Sequence, residues 1–363
     1  MIKIKDKKDC YGCHACEQVC IKNCITMQAD DERFLYPVVD SEACNECGLC
    51  EKVCPVIHQD SPRLPLAHYI GINHNETIRL RSSSGGIFTL LAEVVINEGG
   101  VVFGARFDEA WNVVHGWTDT IDGLAAFRGS KYVQSRIGDT YRETRDFLKQ
   151  GRKVLFSGTP CQIAGLKRYL RKDYDNLFTV DIVCHGVPSP GVWRRYLDEF
   201  CDALREHNAE KNSPSFSTET TPMITSISFR DKTNGWKEFG FRLRYSLSAR
   251  EDEREFLQPF STNPFMQGFL KNLYLRPSCY DCSAKSGKSS SDITIADAWG
   301  INQFASEYDD DKGACYVLEN TDKGSCFLQQ LQFERHPIDI EKVNIYIFIF
   351  IFSKISSQTI FVF

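Results

Sequence analysis

The chain lacks any apolar run long enough to cross a membrane. Its longest, Ile345 to Phe352, is about eight residues, against the ~20 that a spanning helix needs. It lacks an excess of charge as well: a net -5 over 363 residues gives no electrostatic case for nucleic acid or an anionic membrane. The start, Met1-Ile2-Lys3-Ile4-Lys5, is charged throughout and has no apolar h-region of a secretory signal. That pattern reads as cytoplasmic. Cysteine, by contrast, is abundant. Sixteen of them in a reducing compartment read as metal ligands rather than disulfides. Apolar residues at 42% and charged residues at 25% are enough for a cored, soluble protein of one small module and one larger body.

Two cysteine runs organise the N-terminus. They are Cys10-x2-Cys13-x2-Cys16-x3-Cys20 and Cys44-x2-Cys47-x2-Cys50-x3-Cys54-Pro55. In two-cluster ferredoxins each run gives three thiolates to one cubane and its fourth to the other. On that crossing Cys10, Cys13, Cys16 and Cys54 hold one 4Fe–4S cluster, and Cys44, Cys47, Cys50 and Cys20 hold the second. Zinc is the alternative for paired C-x2-C units, but eight cysteines in this double run favour iron–sulfur. Ile21 stands where the first run would carry proline, which alters a turn and not a ligand. Cys24 reads as a buried thiol beside the cluster. Residues 1–57 are thus expected to form a ferredoxin-like domain with a short hairpin in Ile25 to Val39. Residues 58–67, with Pro62 and Pro65, form a linker, and the body spans 68–342.

Within the body, Ser82-Ser83-Ser84-Gly85-Gly86 precedes an apolar helix from Ile87 to Val95, the composition of an anion cradle or of an ordinary Ser-rich cap. The stretch Arg128-Gly129-Ser130-Lys131-Tyr132-Val133-Gln134-Ser135 is either a solvated loop or a pocket lining. A strand ending at Phe156 runs through Ser157-Gly158-Thr159 into a helix from Pro160 to about Leu170. Thr159 suits the N-cap and Pro160 the first turn, so Cys161 lies at a strand tip and a helix start, where α/β proteins place ligands. A second strand delivers Cys184-His185-Gly186 in the same way. Gly191 to about His207 reads as an amphipathic helix with Cys201 in the core, Glu210 to Pro222 as a mobile loop, and Met223 to Tyr245 as a hairpin. A helix from Pro264 to Tyr274 leads to Arg276-Pro277-Ser278-Cys279-Tyr280-Asp281-Cys282. Alone this C-x2-C is zinc-binding, redox-active or structural; with Cys161 and Cys184 it completes a set of four, enough for a third cubane. Cys315 and Cys326 read as structural. The alternating apolar tail, 343–363, reads as a truncated or frame-shifted terminus, with a buried strand as the rival.

With these residues in hand, the chain resembles the coenzyme F420 hydrogenase/dehydrogenase beta-subunit family. The matching segments are Ser82 to Gly86, Arg128 to Tyr132, Ser157-Gly158-Thr159-Pro160-Cys161-Gln162, Cys184-His185-Gly186 and Arg276-Pro277-x-Cys279-x2-Cys282. The resemblance implies an α+β protein: a two-cluster ferredoxin-like module, then an α/β body with a mixed sheet flanked by helices. It also implies one FAD and a 4Fe–4S cluster on Cys161, Cys184, Cys279 and Cys282. FAD contacts would fall at Ser82, Ser83, Ser84, Gly85 and Gly86, at Lys131, Tyr132 and Gln134, and at Ser157, Gly158 and Thr159. Lys131 and His185 are the catalytic candidates for substrate or flavin electrostatics, with a structural histidine as the rival role for His185.

The implied activity is an iron–sulfur flavin-dependent oxidoreductase. Its electrons would pass between a hydride donor or acceptor (an F420-like deazaflavin, a nicotinamide or an organic substrate) and a ferredoxin or other redox protein. An electron-transfer subunit serving a catalytic partner, and a non-enzymatic iron–sulfur scaffold, are the competing expectations.

Overall fold

The computed structural model describes residues 1–210, 222–247 and 252–338. The apolar tail and nearly all of the expected mobile loop lie outside the described residues. The N-terminal segment contains α1 (Ala15–Val19), β1 (Ile25–Ala29), β2 (Leu35–Val39) and α2 (Leu49–Lys52). β1 and β2 form an antiparallel hairpin with Ile25 opposite Val39. The two short helices carry Cys16 and Cys50.

The body opens with β3 (Ala67–Ile72), α3 (Glu76–Arg81), α4 (Ile87–Asn97), β4 (Val101–Phe107) and β5 (Val113–Thr118). Then follow α5 (Thr140–Lys149), β6 (Val154–Gly158), α6 (Pro160–Leu170), β7 (Leu177–Ile182) and α7 (Pro190–Glu210). Strands β8 (Met223–Asp231), β9 (Gly240–Ser246) and β10 (Arg254–Pro259) precede α8 (Pro264–Leu270). The chain continues through β11 (Ile293–Asp297), β12 (Cys315–Glu319), α9 (Asp322–Gln329) and β13 (Glu334–Pro337).

An eight-stranded mixed sheet runs in the order β13-β3-β12-β11-β7-β6-β4-β5. Its centre is parallel, because β4, β6, β7 and β11 pair in one direction; β5, β12, β3 and β13 pair antiparallel with their neighbours. The fold is therefore α+β, a mixed sheet with helices on its faces. Alternation along each strand sets the two faces. Val102 and Leu155 pack with Leu91 and Val95 of α4 and Phe327 of α9. Val101, Phe103, Val154 and Phe156 pack oppositely, with Tyr141 of α5 and Ile163 and Leu166 of α6. A smaller antiparallel sheet, β10-β9-β8, builds an aromatic core with Trp193 of α7 and Phe265 of α8.

Ala15, Val19 and Val53 of the N-terminal segment belong to the core formed over α5 and α6. Burying a valine is worth about 1.5–3 kcal/mol, against ~0–1 kcal/mol for an exposed ion pair. Apolar packing therefore dominates the attachment of this segment.

Several expectations are revised. The helix expected from Pro264 to Tyr274 stops at Leu270, since Asn272 turns left-handed at φ 60. The hairpin from Met223 is two strands of three, extended by β10. Cys201, expected in the core, is only half-buried on α7. The helix α3 was not anticipated.

Candidate functional site

The two N-terminal runs adopt the same local conformation. Gly12 and His14 bracket Cys13 at φ 67 and 61; Glu46 and Gly48 bracket Cys47 at φ 55 and 71. These left-handed residues curl each loop inward. Gly12 N–H then donates to Cys10 Sγ at 3.4 Å, and Glu46 N–H to Cys44 Sγ at 3.4 Å. Each tight loop feeds a helix whose first turn carries the third cysteine of its run.

Cys10, Cys13, Cys16 and Cys54 line one cavity, closed by Ile2, Val56 and neighbouring apolar groups. Burial first, and then the neighbouring thiols, pushes the Cys16 and Cys13 thiols upward. Four sulfurs held this close in a dry site remain thiolates only around a compensating cation. Among the described residues no group of three His, Cys, Asp or Glu side chains is assembled as a metal site. The preference for a cubane over zinc rests on the double-run spacing, and a cavity ringed by these thiols fits it. On the other side, Cys24 Sγ lies 3.4 Å from Cys20 Sγ, and Cys44 and Cys50 join the same cluster of side chains. Cys47 alone among the eight is exposed.

In the body, β6 and β7 run parallel, so their C-terminal ends share an edge, with Gly158 opposite Asp181. Cys161 follows the first and Cys184 the second. Thr159 and Gln162 form a capping box at the start of α6, where Thr159 Oγ1 lies 3.2 Å from Cys161 Sγ. The loop bearing Cys279 and Cys282 is drawn alongside by the bridge between Pro188 and Leu275 and by Arg276 N–H donating to Val187 O at 3.0 Å. Burial pushes the Cys161 and Cys279 thiols up to about 12, and the neighbouring Cys282 adds to it. Cys184 is raised by burial and by Cys279, Cys161 and Cys282. The four predicted thiols thus come from three separate parts of the chain into one buried neighbourhood.

This set and the first N-terminal set meet across α6. A Cβ placed on Gly165 would lie 2.9 Å from Cys13 Cβ and 3.1 Å from its Sγ. Gly165 is one turn along the helix from Cys161.

The expected flavin residues divide into two groups. The hydroxyls of the serine stretch are engaged internally: Ser82 donates to Ile78 O, Ser84 to Ala314 O, and Ser83 pairs with Ser130 at 2.8 Å. Gly85 N–H donates to Cys315 Sγ at 3.1 Å, and a side chain at Gly85 would strike Gly71 O. Gly86, not a serine, caps α4, at φ 81. The stretch thus spends its polar groups on holding the loop. The second group keeps a usable cation. Lys131 Nζ donates to Arg128 O at 3.0 Å and Gly129 O at 3.2 Å, both neutral, and burial lowers its pKa to about 7. Ser157 Oγ donates to Phe103 O, and His115 Nε2 sits 3.0 Å from Ser157 O. Tyr132 stacks on Phe269 at 4.7 Å and hydrogen-bonds Arg230. A half-buried ammonium with only neutral acceptors fits a phosphate-bearing cofactor.

His185 Nε2 lies 2.5 Å from Asn272 Oδ1 and its ring meets the edge of Phe269 at 5.0 Å. Burial lowers its pKa to about 4, so near neutral pH it is an uncharged ring.

Sequence reasoning missed Arg276 as a functional side chain. It is 1% exposed and donates to Cys10 O, Gln134 Oε1 and Leu35 O. The only signal was its place in the Arg-Pro-x-Cys motif.

Comparison with known proteins adds the lineage. The profile for the C terminus of the coenzyme F420 hydrogenase/dehydrogenase beta chain matches residues 151–344, and that of a 4Fe–4S dicluster domain matches residues 9–57. The chain belongs to the coenzyme F420 hydrogenase/dehydrogenase beta-subunit family. Its N-terminal segment is a 4Fe–4S dicluster module, so this member of the family carries iron–sulfur clusters of its own. Similar proteins include an F420H2 dehydrogenase subunit from Methanosarcina mazei, 23% identical over 188 residues, or 48% of this chain and 53% of that protein. Another is the coenzyme F420-dependent sulfite reductase of Methanocaldococcus jannaschii, 24% identical over 191 residues, covering 51% of this chain and 29% of that protein. The chain thus spans about half the length of the first relative and less than a third of the second. A chain from the F420-reducing NiFe hydrogenase complex of Methanosarcina barkeri superposes with a TM-score of 0.45 at 18% identity, over 77% of this chain and 85% of that one. Among the described residues no helix is long and apolar enough to cross a membrane.

Proposed function

We propose that this family member is an iron–sulfur flavoprotein oxidoreductase with three 4Fe–4S clusters and one FAD. Cys10, Cys13, Cys16 and Cys54 would hold the first cluster, Cys20, Cys44, Cys47 and Cys50 the second, and Cys161, Cys184, Cys279 and Cys282 the third. The observation that carries the reading is the contact of Cys13 with Gly165, which brings two four-cysteine sets to one helix. FAD, when bound, exchanges a hydride as two electrons, whereas clusters pass electrons singly.

The chain's own residues supply position and charge. Lys131 would balance the cofactor's phosphates, with Tyr132, Gln134 and the Ser157-Gly158-Thr159 turn beside it and the Ser82 to Gly86 loop shaping the wall. His185, neutral and held by Asn272, would present a fixed ring next to Cys184. The small-molecule partner is a hydride donor or acceptor of the deazaflavin, nicotinamide or organic class. The protein partner is a ferredoxin-like carrier or a catalytic subunit; the relative named as one subunit of a dehydrogenase favours the latter. We further propose residues 1–57 as the cluster module, 58–67 as linker and 68–342 as the flavin-binding body, acting in the cytoplasm.

Iron, sulfide and flavin content of anaerobically purified protein tests this. About 12 iron and one FAD per chain is the expected result, from three four-iron clusters. Cys161→Ala should lower iron to about 8, from two remaining clusters, while leaving the N-terminal sets loaded. A preparation with about 8 iron and no flavin would sink the enzyme reading.

A further inference from the structure

Arg276 lies between two cysteine sets. Its Nε donates to Cys10 O at 2.8 Å, Nη1 to Gln134 Oε1 at 2.9 Å and Nη2 to Leu35 O at 3.0 Å. All three acceptors are neutral. The guanidinium lies over the Tyr36 ring at 4.3 Å and the Phe34 ring at 5.4 Å, and the side chain is 1% exposed. Its place is built on the other side too. A Cβ on Gly12 would lie 2.7 Å from Nη1, so the loop between Cys10 and Cys13 is kept open for it.

A buried cation without a counter-charge is costly. Its hydrogen bonds are satisfied here, yet its charge is not. The Tyr36 phenol beneath it is pushed up by burial to about 12 and stays neutral, which leaves the cysteine sets. Cys279 N–H donates to Arg276 O at 2.8 Å, which ties the arginine's own backbone to the body set. Cys10 is reached through its own carbonyl. Four thiolates around a cubane make a net negative centre, and cluster potentials respond to nearby charge. A cation favours the more negative, reduced form.

We propose that Arg276 is the counter-charge shared by the first N-terminal cluster and the body cluster, and that it raises the reduction potentials of both. The inference rests on the three-cluster reading above. It assigns Arg276 a tuning role in addition to its clamp between module and body. The cysteines around Cys47 are not among its contacts in the described residues, so the second cluster serves as an internal reference.

The test is a redox titration followed by electron paramagnetic resonance, on full-length, anaerobically loaded protein with iron counted. In Arg276→Gln, two of the three signals should move to lower potential, by on the order of tenfold in the reduction equilibrium, or about 59 mV for one electron. The third should stay in place. Arg276→Lys keeps the charge while losing the planar fork, and should remain near the parent values. Unmoved potentials in fully loaded Arg276→Gln, or an equal shift in Arg276→Lys, overturn the proposal. If Arg276→Gln fails to load, Gln134→Glu decides: a carboxylate against Nη1 should neutralise the cation and lower the same two potentials, and no shift overturns the idea. Failure of the three-cluster reading looks different, as a parent protein with no signal sensitive to Cys161→Ala.

Discussion

Lys131 is a side chain whose chemistry depends on its burial. Held by two backbone carbonyls and lowered to about 7, it changes charge within the physiological range. Below about 7 it is an ammonium and suits a phosphate; above, that attraction fades. Flavin affinity should therefore fall as pH rises through about 7. In Lys131→Met it should be weaker by about tenfold, the worth of one charge-assisted hydrogen bond, and flat across the same range. Fluorescence titration at several pH values checks both. For the ligand-free protein the sign is fixed by linkage. From about 7 up to the ordinary lysine value the unfolded chain holds a proton that the folded chain has released, so stability rises with pH there and is lost as pH falls. His185 behaves differently. With its pKa near 4 and Asn272 on Nε2, a pH profile should show no histidine step from it between 6 and 8, the range of an ordinary imidazole, about 6.5.

At the scale of elements, α6 joins the two halves. Its first turn carries Cys161, and its second leaves room at Gly165, where a Cβ would lie 2.9 Å from both Cys13 Cβ and the Tyr141 hydroxyl. Gly165→Leu should push the N-terminal segment away, at about 1–3 kcal/mol for overpacking. It should also slow re-reduction of the N-terminal clusters, read by thermal melting and by rapid-freeze spectroscopy. A variant with unchanged melting would mean that the contact is slack. The start of α6 was legible because Thr-Pro is a local signal, and the cysteine runs because spacing is local. Strands were legible as short continuous apolar runs bounded by turns, as with Val101 to Phe103 and Val154 to Phe156. Sheet order was not legible, since β12 and β3 pair across more than two hundred residues of chain. The roles of Arg276 and Gly165, and the bond from Arg276 to Gln134, escaped for the same reason. Each matters through a neighbour distant in sequence. The serine stretch shows the converse: its composition suited a cradle or a cap alike, and only the fold shows that its hydroxyls turn to Ile78, Ser130 and Ala314.

At the scale of the molecule, the N-terminal module is grafted and not merely tethered. Gln18 Oε1 accepts from the backbone N–H groups of Tyr141 and Arg142 at the start of α5, at 3.0 and 3.1 Å. Ser189 and Gly191 donate to Glu32 O. Val19 and Val53 are buried in the body's core. Removal of residues 1–57 should therefore leave an aggregation-prone body with a lower melting temperature. A soluble fragment melting like the parent would show that the module is dispensable to the fold.

The exposure of Cys47, beside the burial of Cys10, Cys16, Cys50 and Cys54, gives the molecule a weathered side. Oxygen and chelators meet the sulfur at that rim long before they reach the sheltered interior. Ageing in air should be directional, eroding the centre that Cys47 would hold before those that the buried cysteines would hold.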